Sequence, residues 1–138
     1  MIQPKPYAFA RKNLIECSVG DSIRDVARIF QDESVGSALV KDESGSYIGM
    51  LTDSIVFKAI ADDVDVRSMR VRDFSLMPLV KVNKNADLGE VMEAFQKHDV
   101  SRLAMTDDNG RIVGVLRKKF MERFGSFSMA SSLYSLKK

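Results

Sequence analysis

The chain has 138 residues, 45% of them hydrophobic and 29% charged, and a formal net charge of +2. That suffices for one globular domain or two small units sharing a core, and no apolar run approaches the roughly 18 residues of a membrane span. The opening MIQPKPYAFARK has charge but no signal-peptide apolar stretch, so a cytoplasmic protein with no membrane association is expected. The single Cys17 excludes an internal disulfide, and with one histidine, His98, no metal site is expected.

In chain order, Pro4-Lys5-Pro6 excludes a helix at the start, and residues 7–14 are expected to pack back on the body. Cys17 reads as a small buried residue. Ile23, Val26, Ala27 and Phe30 then fall on one helical face, with Ser22 at the N-cap and Asp25 in capping-box position. A strand over Val35 to Val40, the turn Asp42-Glu43-Ser44-Gly45 and a second strand, Tyr47 to Leu51, make a hairpin. A helical segment from Ile55 to Ile60 closes the unit, and the acidic run Asp62 to Arg67 reads as a linker.

The pattern then recurs. A shift of 65 positions, without gaps, lays Val26 on Val91, Phe30 on Phe95, Asp42 on Asp107, Gly45 on Gly110, Gly49 on Gly114 and Leu51 on Leu116. Asp87 caps the second helix, whose face is Leu88, Val91, Met92 and Phe95, with Glu90 in capping-box position. A run from Val100 to Met105, an Asn-Gly turn at Asn109-Gly110, a strand to Leu116 and a segment from Phe120 to Phe124 follow. Each copy is helix, hairpin, helix. A unit of roughly 50–60 residues buries little surface alone, so the copies are expected to pack together. The methionines read as core filling. The tail from Gly125 is Ser-rich with spaced Phe127, Met129, Leu133 and Tyr134, consistent with disorder or with a helix against a dimer partner.

Charge is uneven. Residues 111–138 carry seven Lys/Arg against one acid, Glu122, on a slightly acidic body. Such asymmetry suits an anionic partner, or simply a solvated helix surface.

Two units in register, with Val71-Arg72-Asp73-Phe74, the stretch Lys97 to Leu103, and Gly110 to Leu116, resemble a tandem pair of CBS domains, a Bateman module. The resemblance covers about residues 11–125, with units at 11–62 and 71–125. It implies an α+β fold of α/β-type CBS repeats, packed sheet to sheet about a pseudo-twofold axis. It further implies a regulatory module, not an enzyme. Such a module binds AMP, ADP, ATP or S-adenosylmethionine reversibly between the units, pairs into a homodimer, and signals to a partner protein.

The family's sugar–phosphate signature places Gly, two apolar residues, a hydroxyl, two variable residues and an acid after the second strand. Gly49-Met50-Leu51-Thr52 keeps the opening, but Ile55 stands at the acid position and Asp53 lies two residues early. In the second copy, GVLRKKF puts Arg117 at the hydroxyl position and Phe120 at the acid. A cation cannot accept ribose hydrogen bonds but can hold a phosphate. Arg102 matches a phosphate-contacting arginine of some family members. The expected ligand set is Ser37, Thr52 and Asp53 in one copy and Arg102, Arg117 and Lys118 in the other. Thr52 equally fits a plain helix cap, and Arg117 to Lys119 equally fit an exposed first helical turn. The alternative reading is a ligand-free protein-interaction or nucleic-acid-binding module using the basic C-terminal region.

Overall fold

The computed structural model describes residues 4–123. The first repeat runs β1 (Glu16–Ser18), α1 (Ile23–Glu33), β2 (Ser37–Lys41), β3 (Tyr47–Thr52) and α2 (Asp53–Ala61). The second runs β4 (Lys81–Asn83), α3 (Leu88–His98), β5 (Arg102–Thr106) and β6 (Ile112–Arg117), with residues 118–123 opening a further helix. Both first helices start at the caps read from sequence. The Ser22 hydroxyl accepts the Asp25 N–H at 3.1 Å, and the Asp87 carboxylate accepts the Glu90 N–H at 2.9 Å. Both helices stop at a left-handed residue, Ser34 (φ 54°) and Asp99 (φ 50°).

The hairpins set the register. Asp42 Oδ1 accepts the N–H groups of Ser44 and Ser46 at 2.9 and 3.1 Å, and Asp107 Oδ1 accepts those of Asn109 and Arg111, both at 2.9 Å. Gly45 (φ 85°) and Gly110 (φ 80°) supply the left-handed turn residue. β2 pairs antiparallel with β3, and β5 with β6, each with a register shift near the turn, at Val40/Lys41 and Met105/Thr106.

A third strand completes each sheet. β1 runs parallel to β2, and β4 parallel to β5, giving the orders β1-β2-β3 and β4-β5-β6. The helix–hairpin–helix reading lacks these strands, because three residues are too short to show a period. At the edge of the first sheet, Glu16 pairs with Lys41 at 2.7 Å and accepts from the Tyr47 hydroxyl at 2.7 Å. Lys41 first, then Tyr47, hold the Glu16 carboxyl below its ordinary range.

The compact units are offset from the repeats. One is Leu14–Leu79; the other combines, among the described residues, 4–13 with 80–123. The segment preceding each repeat therefore packs in the unit that holds the other repeat. In the first unit Met50 and Met77 exchange both backbone hydrogen bonds, at 3.0 and 2.9 Å. In the second, Arg11 and Val115 do the same at 2.9 and 3.0 Å. Each arm thus covers the outer edge of β3 or β6, which would otherwise offer unpaired N–H and C=O groups. Gly49 and Gly114 leave room for it. A Cβ at Gly49 would stand 2.9 Å from the Met77 carbonyl oxygen, and one at Gly114 would stand 3.1 Å from Ala10 Cβ.

The N-terminal arm also corrects an expectation. Pro4-Lys5-Pro6 does not exclude helix, since a 3-10 turn spans Pro6–Phe9 with proline at its first position, where its missing N–H costs nothing. Lys12 Nζ donates to the carbonyls of Tyr7 and Ala10 at 2.9 and 3.2 Å, closing that turn. The run read as a linker at Asp62 to Arg67 leads into 3-10 turns at Val66–Ser68 and Val71–Asp73, inside the first unit. The tail from Gly125 lies outside the described residues.

The core of the first unit gathers Cys17, Val19, Ile23, Val26, Ala38, Val40, Leu51 and Val71. Val91, Phe95, Leu103, Met105, Leu116 and Met121 are fully buried in the second. Burial, and secondarily the Asp21 carboxylate, pushes the Cys17 thiol up to about 12.

Three outcomes are expected. Gly49→Ala, which meets hydrogen-bonded backbone, should cost roughly 1–3 kcal/mol in urea unfolding; Gly114→Ala, which meets side chains of a terminal arm, should cost less. Cys17 should resist a disulfide reagent at pH 8 in the native protein and react once urea unfolds it. Because the folded pKa of Glu16 is depressed, its contribution is present above the ordinary carboxylate pKa and is lost as pH falls through the folded value. Glu16→Gln should therefore flatten the acid limb of the stability–pH curve by a small amount, the pair being partly exposed.

Candidate functional site

The two hairpins end in equivalent corners with different chemistry. Residues directly opposite on antiparallel strands point to the same face. In the first unit the pair at the open end of the hairpin is Ser37 and Thr52; in the second it is Arg102 and Arg117. The shift of 65 carries one pair onto the other. Two hydroxyls in one sheet therefore stand where two guanidinium groups stand in the other.

Thr52 is 3% exposed, and its hydroxyl accepts the Ile55 N–H at 3.4 Å. It is the cap of α2. Ser37 opposes it from the start of β2, half-buried. Asp53 follows as the first residue of α2. Its N–H donates to the Gly36 carbonyl at 2.8 Å, its carboxylate accepts from the Ser54 N–H at 2.8 Å, and the residue lines a groove between α1 and α2. Ile55, at the position of the family's acid, packs against the core of its unit.

Arg102 is 9% exposed although it carries a full charge, and its Nη1 donates to the Ser101 hydroxyl at 3.0 Å. Burying a guanidinium is costly unless hydrogen bonds or an anion compensate it. Arg117, opposite, is exposed. Like charges directly across a strand pair repel, and an anion between them would convert that repulsion into two charge-assisted hydrogen-bonding partners. Lys118 turns along the next helix instead: its N–H donates to the Ser101 carbonyl at 2.9 Å and its ammonium lies 3.9 Å from Glu122. Phe120 stacks at 5.2 Å on Phe9 of the N-terminal arm, a packing role in place of an acid. The sequence reading passed over Ser101. Its signal was there, because the repeat puts Gly36 at that position and a hydroxyl appears only beside the arginine.

Among the described residues no helix is long and apolar enough to cross a membrane, and no cluster of three His, Cys, Asp or Glu residues stands ready for a metal.

This architecture, a hairpin with a parallel third strand and flanking helices, occurring twice in 65-residue register, defines a tandem CBS pair. The CBS domain family model matches residues 7–62 and 71–119, and the chain belongs to that family. An uncharacterized protein of Methanopyrus kandleri is 22% identical over 130 residues, 94% of this chain. The chain spans 66% of that protein's length and 31–32% of the next relatives'. Among solved structures, the CBS-domain pair of protein MJ0100, in complex with 5-methylthioadenosine and S-adenosyl-L-methionine, is similar at a TM-score of 0.73 and 18% identity, over 91% of this chain and 98% of that one. A CBS domain protein of Pyrobaculum aerophilum complexed with AMP is similar at a TM-score of 0.69 and 16% identity, over 84% of this chain and 88% of that one. At these identities the likeness speaks for the fold.

Removing the cap isolates the structural share of the first corner. Thr52→Val should cost about 1 kcal/mol in urea unfolding through loss of the α2 cap, whereas Thr52→Ser should retain most of the stability.

Proposed function

We propose that the chain is a regulatory ligand-sensing module that binds an adenine nucleotide (AMP, ADP or ATP) or a related anionic metabolite and passes the binding event to a partner protein as a shift in conformation. The observation that carries this reading is the pairing of Arg102 with Arg117 across β5 and β6. Two arginines directly opposite in the β5–β6 register, one of them buried, suit a phosphate-bearing ligand better than a neutral nucleoside. The Ser37–Thr52 corner supplies hydroxyls, which accept and donate to sugar or phosphate oxygens. Bound AMP in one similar CBS protein, and S-adenosyl-L-methionine with 5-methylthioadenosine in another, support an adenine-containing ligand class.

In this reading the repeats at 11–62 and 71–125 are the CBS units, the module is cytoplasmic and works as a homodimer, and it performs no catalysis. Lys118 and Asp53 belong to the proposed ligand set beside Arg117 and Thr52, their neighbours in sequence. Ligand acts by population shift: it favours whichever conformation it binds more tightly, by no more than that difference in affinity.

Thermal unfolding with AMP, ADP, ATP and S-adenosylmethionine tests this. At a ligand concentration of about 100 Kd, binding to the native state should raise the midpoint by on the order of 10 °C. The doubly substituted Arg102→Ala, Arg117→Ala protein should lose the shift with phosphorylated ligands. No shift with any of the four would overturn the nucleotide reading. Retention of a steeply salt-dependent affinity for single-stranded RNA or DNA would instead favour the basic C-terminal region as a nucleic-acid surface.

A further inference from the structure

The two hairpin corners differ in how the strand is joined to the helix that follows it. In the first unit the join is closed locally. The Thr52 hydroxyl accepts the Ile55 N–H at 3.4 Å, and Ile55 packs against the core. In the second unit the equivalent residue is Arg117, whose side chain has donors only and caps nothing. The equivalent of Ile55 is Phe120, and its ring meets Phe9 of the N-terminal arm with centroids 5.2 Å apart. A contact from a distant segment thus stands where the other copy has a local cap.

Strand geometry puts Arg117 on the edge that the arm covers. The Lys118 N–H donates to the Ser101 carbonyl at 2.9 Å, just outside the opposed pair Arg102 and Arg117. In an antiparallel ladder such a bond flanks a non-hydrogen-bonded pair, whose own N–H and C=O groups point away from the partner strand. The backbone groups of Arg117 therefore point to the outer edge of β6, as do those of Val115 two residues earlier. The arm, which belongs to the same compact unit, runs along that edge. The Tyr7 hydroxyl donates to the Val113 carbonyl at 3.3 Å, and Arg11 exchanges both backbone bonds with Val115. Phe9 then stacks on Phe120, three residues beyond Arg117. Arm contacts bracket Arg117, on the strand before it and on the helix after it.

We propose that residues 4–13 form a strap that positions Arg117, and that docking of the strap is coupled to anion binding at the Arg102–Arg117 corner. Phe9 is its positioning residue, acting through Phe120. With the strap docked, the strand-to-helix join is held by β5 on one side and by the arm on the other, and Arg117 is kept opposite Arg102. With the strap released, only β5 holds the join. Like charges directly across a strand pair repel, which loosens the join when the corner is empty. An anion shared by the two arginines removes that repulsion. Anion and docked strap therefore favour one another, and by linkage each tightens the other by the same factor. One pair of backbone bonds is a small hold, so the strap lies toward the low end of local stability, where such a factor changes its population. This rests on the nucleotide reading and adds to it the segment that carries the signal.

Hydrogen exchange of the Arg11 and Val115 amides, read beside calorimetric affinity in the full chain, tests the coupling. The probe is whichever of AMP, ADP and ATP binds the wild type most tightly. At saturation it should slow both amides by at least about fivefold, and it should leave them unchanged in Arg117→Ala. Phe9→Ala and Gly114→Ala loosen the strap at different points, the second because a Cβ there would stand 3.1 Å from both Ala10 Cβ and Tyr7 Cε1. Each should speed exchange at Val115 without ligand and weaken nucleotide binding by a comparable factor. Phe9→Tyr, which keeps the ring, should restore both. Exchange within α3 should match the wild type in every variant, showing that the unit is folded. Nucleotide that binds without slowing Arg11 and Val115 would overturn the strap and leave the nucleotide reading standing. So would loosened but folded variants that bind at wild-type strength. No binding by any of the three nucleotides overturns the nucleotide reading and the strap with it.

Discussion

The antiparallel register of the two hairpins is the constraint on which the rest of the structure depends. A slip of one residue would turn every side chain to the opposite face of its strand. In β6 it would turn exposed Arg117 toward the side that buries Leu116. The register is held locally, by a carboxylate that gathers two backbone N–H groups and a glycine in left-handed backbone, at Asp42 and Gly45 and again at Asp107 and Gly110. From it follow the burial of the strand cores, the position of Thr52 at the head of α2, and the pairing of Arg102 with Arg117.

The same scaffold then supports two chemistries. Thr52 serves both as cap and as hydroxyl of its corner, whereas the equivalent Arg117 leaves the second corner cationic. Arg102 is buried in that corner, and its Nη1 donates to the Ser101 hydroxyl. Thr52 and Ile55 show the reverse allocation, a polar group bound into the helix start and an apolar side chain given to the core. The copies differ at Thr52 and Arg117 and at Ile55 and Phe120, while Gly49 and Gly114, which admit the covering arms, are unchanged.

Those arms link the repeats more closely than the linear order suggests. The segment before each repeat seals the sheet edge of the other unit through one pair of backbone bonds. Neither repeat, cut at its sequence boundary, would keep its edge covered.

Much of this was legible in the amino-acid sequence. Helix faces at Ile23 to Phe30 and Leu88 to Phe95, their caps at Ser22 and Asp87, the hairpin turns and the 65-residue repeat are local signals, carried by periodicity and by side chains that bond their own neighbouring backbone. The family followed from two copies in register. The three-residue strands β1 and β4 were not legible, because parallel pairing is a long-range choice with no period of its own. The sequence by itself determined the repeated unit and the chemistry available at each corner. Only the tertiary structure decided which residues face one another and which sheet edge each arm covers. Those outcomes turn on packing between segments far apart in the chain, and local propensity does not encode it.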